Sequence, residues 1–210
     1  MELISNSFED GAAIPVDHAF GAPDPDNHVT FAPNRNPHLA WTDVPEGTAS
    51  FVVICHDPDS PSAPDDVNQV DREIPEDLPR VDFVHWVLVD LPADARGLEA
   101  GVFSDGVTPR GKSQVDGPLG ARTGVNDYTD WFAEDAEMAG TYRGYDGPCP
   151  PWNDSIVHRY IFTVYAVDVP GIPVDGDFGA SDVVAAMAGH ALGHATITGT
   201  YTLNPRLIGT

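Results

Sequence analysis

Four runs of β-branched and aromatic residues, separated by long polar intervals rich in glycine and proline, constrain this chain more than any other feature. They are Ala49 to His56 (ASFVVICH), Phe83 to Leu91 (FVHWVLVDL), His158 to Val169 (HRYIFTVYAVDV) and Ala195 to Leu203 (ATITGTYTL). Such runs, bounded by turn-forming residues, read as strands, and Leu39 to Trp41 reads as a further short one. A single helical pattern stands out, Ser181 to Leu192 (SDVVAAMAGHAL), with Ser181 placed to cap it and Gly193 to end it. One helix among several strands argues against repeated βαβ units. It predicts an all-β fold, an antiparallel, Greek-key-like sandwich with one C-terminal helix and long loops. At 210 residues the chain has room for one ordinary domain, and residues 1–210 are read as a single one.

The formal charge of −23 comes from 33 acids against 10 bases, while 41% of the residues are hydrophobic. That is too apolar for a disordered acidic tail. Such a surface repels phosphate backbones and anionic bilayers, which disfavours nucleic-acid binding and electrostatic membrane docking. Asp outnumbers Glu, 25 to 8, and the bases are nine Arg and one lysine, Lys112. This pattern resembles a halophile's protein, whose carboxylates are screened at high salt. No stretch reaches the roughly 18 apolar residues of a membrane span, and Met1 to Asp10 lacks the basic and apolar regions of a secretory signal. The expected location is the cytoplasm, where Cys55 and Cys149 are read as free thiols.

Three constellations invite a chemical reading. Gly106 to Ser113 (GVTPRGKS) matches the phosphate-binding P-loop pattern, yet Pro118 and the glycines that follow deny it the helix whose N–H groups would cradle a phosphate. His190 and His194 have the spacing of a helical zinc pair, but Gly193 should end the helix between them. The third set lies at strand ends. Strict alternation puts Phe83, His85, Val87 and Val89 on one face, and His158, Tyr160, Phe162 and Val164 on one face of the other strand. Asp57 and Asp59 follow the first strand directly. If these strands are neighbours, a carboxylate, two imidazoles and a phenol converge beside an apolar floor, the make-up of a small polar-ligand pocket. Taken singly, the same residues read as turn-forming Asx groups, satisfied core histidines and a packed tyrosine.

The motifs DPDSP (Asp57 to Pro61), FVHWVLVDLP (Phe83 to Pro92), NDY (Asn126 to Tyr128), GYDGPCPP (Gly144 to Pro151), HRYIFTVYAVD (His158 to Asp168), AMAGHAL (Ala186 to Leu192) and GTY (Gly199 to Tyr201) resemble those of the phosphatidylethanolamine-binding proteins. Within that family they look like the prokaryotic Raf-kinase-inhibitor-like branch. Residues 64–80 and 129–143 depart from the pattern as loop insertions, the first read as mobile or salt-adapted. The resemblance implies a β-sandwich with an anion pocket at one end. Asp57 and His85 would form its floor, His158 and Tyr160 its wall, and Gly147, Pro148, Cys149 and Pro150 its rim, with Asp59 bracing a loop. It also implies a cis peptide near Val81 and Asp82.

The leading functional expectation is therefore a non-catalytic binding or regulatory module, with no cofactor and no bound metal. Its ligand would be a small anion or zwitterion, phosphorylated or carboxylated and phosphoethanolamine-like, with a kinase or protease as the partner that relatives suggest and a homodimer as the assembly. His85, His158 and loop amides would supply N–H donors to the anion. The competing expectation is a hydrolase or phosphotransferase using Asp57, His85 and His158 as acid and base groups. A metal site made of the same three residues ranks third.

Overall fold

The four apolar runs become neighbouring strands of one sheet, because each is flanked by the polar punctuation that stops a strand and none can hide its apolar surface alone. The structure, a computed structural model, describes residues 1–209. In chain order its elements are β1 (Glu2–Ile4), β2 (Gly21–Asp24), β3 (His28–Phe31), β4 (Leu39–Thr42), β5 (Ser50–Pro61), β6 (Arg80–Pro92), β7 (Gly97–Leu98), β8 (Arg122–Thr123), α1 (Tyr128–Trp131), β9 (His158–Val167), α2 (Ala180–Ala186) and β10 (Ala191–Tyr201). A five-stranded sheet runs in the order β10-β9-β5-β6-β8, a three-stranded one in the order β1-β4-β7, and β2 pairs with β3. Every one of these pairings is antiparallel.

The five-stranded sheet is covered on both faces. On one, Phe51, Val53, Trp86, Leu88, Tyr160, Phe162 and Val164 pack against Leu3, Leu39, Trp41 and Leu98 of the smaller sheet. On the other, Val52, Ile54, Val87 and Val89 meet Ile172, Val174 and Phe178 and the α2 residues Val183 and Met187. The β-sandwich expectation is met, with sheet packed on sheet and a helix on the outer face.

Several local expectations are corrected. The C-terminal helix begins at Ala180, with Gly179 as its N-cap and the Gly179 N–H donating to Asp182 Oδ2 (2.9 Å). It stops at Ala186, and at Gly189 the backbone turns through the left-handed region (φ +85°). That reversal lets Ala191 to Gly193 join β10 against β9, so the stretch read as the end of a helix is the start of a strand. His190 lies in the turn with Nδ1 2.8 Å from Asp168 Oδ1, and His194 sits on β10 against Tyr165, so they form no helical pair. Asp57 and Asp59 lie inside β5 and do not follow it. Val81 and Asp82 extend β6 with trans peptides, since a strand paired there to Ser60 leaves no turn to accommodate a cis bond.

The two long segments 64–80 and 129–143 are anchored. Ile74 is fully buried and Val67 nearly so, and Ile74 exchanges backbone bonds with residues 153 and 155. The Asn153 carboxamide donates to the carbonyls of Asp66 (2.8 Å), Gln69 (3.3 Å) and Arg72 (3.2 Å). The two buried side chains and the Asn153 bonds tie this segment to residues 153–155. In the second segment, Met138 and Tyr142 pack on Phe20 and Tyr128. Residues 106–113 form a loop followed by extended chain and then only a three-residue helical turn at Pro118–Gly120, and Lys112 points inward to Asp146. Cys55 is buried, Cys149 half-buried, and both are free thiols.

Candidate ligand-binding site

A cavity of about 300 Å³ opens where β5, β6 and β9 end together. Asp57, His85, His158 and Tyr160 all line it, with Cys149 and Pro150 at its edge. The walls are apolar: Pro61, Pro64 and Val67 on one side, Phe83, Tyr128, Trp131 and Phe132 on the other.

His85 reaches the cavity through a β-bulge. Cys55 pairs with Trp86 and His56 with Val84, so His85 is the extra residue of β6. The bulge shifts the alternation by one, which carries His85 to the side of Trp86 and Leu88, its ring centroid 5.1 Å from that of Tyr160, while Val87 and Val89 face α2. Strict alternation had grouped His85 with those two valines.

His158 is held at both ring nitrogens. Nδ1 lies 2.7 Å from Asp57 Oδ2 and Nε2 3.1 Å from Asp154 Oδ2. Asp154 in turn receives a bidentate bond from Arg80 (2.6 and 3.0 Å), and Asp57 Oδ1 accepts the Asp59 N–H (2.7 Å). Burial opposes charge on His158, yet the bonds to Asp154 and Asp57 outweigh it and lift its pKa to about 9. The imidazolium is therefore the resting form at neutral pH. Burial likewise pushes Asp154 upward, but its bonds to His158 and Arg80 hold it below the ordinary carboxylate value. With both N–H groups committed, His158 has no donor left for an anion and no lone pair for a metal, which corrects its expected role.

His85 is the opposite case. Its Nδ1 lies 2.7 Å from the Asp146 carbonyl oxygen, which can only accept, so the proton sits on Nδ1 and neutral His85 turns a bare Nε2 lone pair outward. Burial lowers its pKa to about 4, against partial support from Asp57 and the Asp146 carbonyl. Beside it the Tyr160 hydroxyl is fully buried and has no hydrogen-bond partner. The polar end of the cavity thus holds one unpaired donor and one unpaired acceptor.

The rim is fixed from behind by Asp146. This buried carboxylate accepts from Lys112 Nζ (2.8 Å), Asn34 Nδ2 (2.8 Å) and Asn126 Nδ2 (2.9 Å), while the Asp146 N–H donates to the His85 carbonyl (3.0 Å). Burial raises the Asp146 pKa against the pull of Lys112. The chain's one lysine is thus a structural pin, and the P-loop-like motif delivers it. Gly147 and Pro148 do not line the cavity. The Gly147 N–H donates to Asn34 Oδ1 (2.8 Å), its carbonyl accepts from Tyr128 (2.7 Å), and a Cβ there would collide with the His18 carbonyl oxygen. The Pro148 carbonyl accepts from the amides of Phe20 and Gly21. Within Pro148 to Pro151 only Cys149 carries an amide N–H at all. Asp59 accepts from the Arg159 backbone N–H (2.9 Å), Nε (2.8 Å) and Nη2 (2.7 Å), tying β5 to β9.

Sequence reasoning missed Asp154 and Arg80, which complete the clamp on His158, and the aromatic wall of Phe83, Trp131 and Phe132. Arg80, a base closing an acidic run, was a signal available in the sequence, whereas Asp154 stands in a turn-like stretch that carries none.

The family model for phosphatidylethanolamine-binding proteins matches residues 4–202. The chain belongs to that family. Among relatives of this phosphatidylethanolamine-binding protein family member, the UPF0098 protein YbhB of Escherichia coli is 36% identical over 96% of this chain and 100% of its own length. A UPF0098 protein of Methanothermobacter thermautotrophicus is 34% identical over 96% of this chain and 98% of its own. The family fold is seen in the crystal structure of Escherichia coli YbcL, described as a new member of the mammalian family, at 27% identity, a TM-score of 0.67, and 96% and 97% coverage of the two chains. The Chlamydia trachomatis homologue CT736 superimposes with a TM-score of 0.61 at 26% identity, covering 95% of each chain. These bacterial and archaeal relatives set the chain on the prokaryotic side of the family. Among the described residues no helix is long and apolar enough to cross a membrane.

Proposed function

We propose that this chain is a non-catalytic binding module whose cavity takes a small phosphorylated or carboxylated ligand in its singly protonated acid form. The observations that carry the reading are the Tyr160 hydroxyl, buried without a hydrogen-bond partner, and the His85 ring beside it, whose Nδ1 is held by the Asp146 carbonyl so that Nε2 is its free nitrogen. A P–OH or COOH group donates to Nε2 while its neighbouring oxygen accepts from Tyr160, which satisfies both buried groups at once. A fully deprotonated anion meets a lone pair and a carboxylate there, so it binds by taking a proton onto His85. Beside the cavity, Asp127, Asp130 and Trp131 form an acidic lip against Phe83, suited to the ammonium of a phosphoethanolamine-like head group.

The hydrolase reading is disfavoured by the same geometry. His158 is locked between two carboxylates and cannot pass a proton without breaking the clamp. His85, with a pKa near 4, is a weak base at neutral pH. The regulatory half of the proposal, a kinase or protease answering to the loaded module, rests on family likeness. Calorimetric titration with inorganic phosphate at pH 6 tests the binding role. Wild type should bind without turning over p-nitrophenyl phosphate, Tyr160→Phe should weaken binding about tenfold, the worth of one hydrogen bond to a charged group, and His85→Ala should abolish it. Unchanged affinity in both variants, or turnover by wild type, contradicts the proposal.

A further inference from the structure

The cavity does not end at its aromatic wall. A second depression of about 400 Å³ lies against Phe20, Val29 and Phe31 and shares Asn68, Trp131, Phe132, Cys149 and Pro150 with the first. The two are thus contiguous across one seam. Their chemistry differs: no Asp, Glu, Lys, Arg or His lines the second, on a protein whose net charge is −23. Two large apolar side chains stand half-exposed at it, Phe31 (59%) and Trp131 (49%). Phe31 meets Phe20 edge-to-face (5.7 Å), and Phe20 stacks on Tyr128 (4.5 Å), whose ring packs against His85 (5.6 Å). An unbroken aromatic path therefore runs from the uncharged groove to the polar floor.

We infer that the groove is a second subsite, which receives an uncharged, compact apolar substituent carried on the acid group bound in the first cavity. The inference rests on the acid-binding reading of that cavity. Its ligand class is an amphiphilic phosphomonoester or carboxylic acid bearing an aryl or short branched group. Continuity with the polar floor is what selects a part of the same small molecule as occupant. A bilayer with anionic lipids is repelled by the surface charge, and a basic peptide finds no carboxylate in this groove. The arrangement of an apolar pocket with a few convergent polar groups at one end is the ordinary build of a small-molecule site.

The test compares methyl phosphate with phenyl phosphate by calorimetry at pH 6, on wild type and on Phe31→Ala. Phenyl phosphate should bind wild type about tenfold more tightly, the gain from covering on the order of 50 Å² of apolar surface. Phe31→Ala should bring the ratio close to one while leaving methyl phosphate affinity unchanged. Phe31 is exposed, so the variant should fold, and transferred NOEs from the phenyl protons to Phe31 and Trp131 in the wild type give an independent reading. Equal affinity for the two esters, or a ratio that survives Phe31→Ala, overturns the subsite and leaves acid binding standing. Failure of both esters to bind overturns the acid-binding reading and the subsite with it. Co-flotation with phosphatidylcholine vesicles that is lost in Phe31→Ala, with no preference between the esters, assigns the groove to a lipid surface and also overturns the inference.

Discussion

At the scale of single residues, the arrangement of Asp57, His158, Asp154 and Arg80 explains why a buried histidine carries charge. Two carboxylates and two cations alternate along one hydrogen-bonded line, so each charge leaves water with a partner already in place. Removing one member strands the others. Asp154→Asn should therefore lower stability by about 3 kcal/mol in urea denaturation at pH 7, the scale of a broken buried pair, and should shift the His158 titration downward in NMR. A variant of wild-type stability, with His158 still titrating near 9, would show that Asp57 alone holds the charge. The sequence announced half of this line. Asp57 and His158 were legible from strand ends and motif likeness, while Asp154 stood in a Pro-, Asn- and Asp-rich stretch that reads only as a turn. Which of the two histidines would be charged depends on partners folded in from three segments, and spacing along the chain does not carry that information.

At the scale of elements, the apolar runs predicted the four long strands β5, β6, β9 and β10, because burial in a sheet packed on both faces demands β-branched and aromatic sequence. The bulge at His85 was not legible. One unpaired residue in a ladder leaves no mark in composition, yet it turns the imidazole from the face of Val87 to that of Tyr160 and so makes the site. The short strands β1, β2, β3, β7 and β8 escaped notice for a related reason: two to four residues are too few to show a period, and pairing alone defines them. The segment over residues 64–80 contributes Pro64, Val67 and Asn68 to the cavity wall and is pinned by Ile74. Ile74→Ala should cost about 2 to 4 kcal/mol, within the range for emptying a buried aliphatic site, and should expose this segment to proteolysis before the sheet unfolds. Cleavage at wild-type rate would mean that the Asn153 bonds suffice to hold it.

At the scale of the whole molecule, the two site histidines set opposite limbs of the stability profile. His85 is depressed to about 4, so the unfolded chain binds more protons between pH 4 and 6.5 and stability falls as the solution is acidified through that range. His158 is raised to about 9, so its contribution is complete below pH 6.5 and is lost as pH climbs to 9. Together they place a maximum near pH 6.5, with the alkaline limb worth on the order of 3 kcal/mol. Thermal unfolding across pH 4 to 10 should trace that bell, and Asp154→Asn should flatten its alkaline side. A profile still rising at pH 9 would contradict the charge assigned to His158.

The central claim is that the cavity offers an acid group one donor and one lone pair, so that an oxyanion enters together with a proton. Methyl phosphate affinity measured from pH 5 to 8 by calorimetry, in buffers of different ionisation enthalpy, tests it most directly, because its dianion, unlike that of inorganic phosphate, carries no P–OH. The account predicts that binding weakens steadily as pH rises and that about one proton is taken up for each dianion bound. Affinity that stays level across this range, with no proton exchanged, would contradict it.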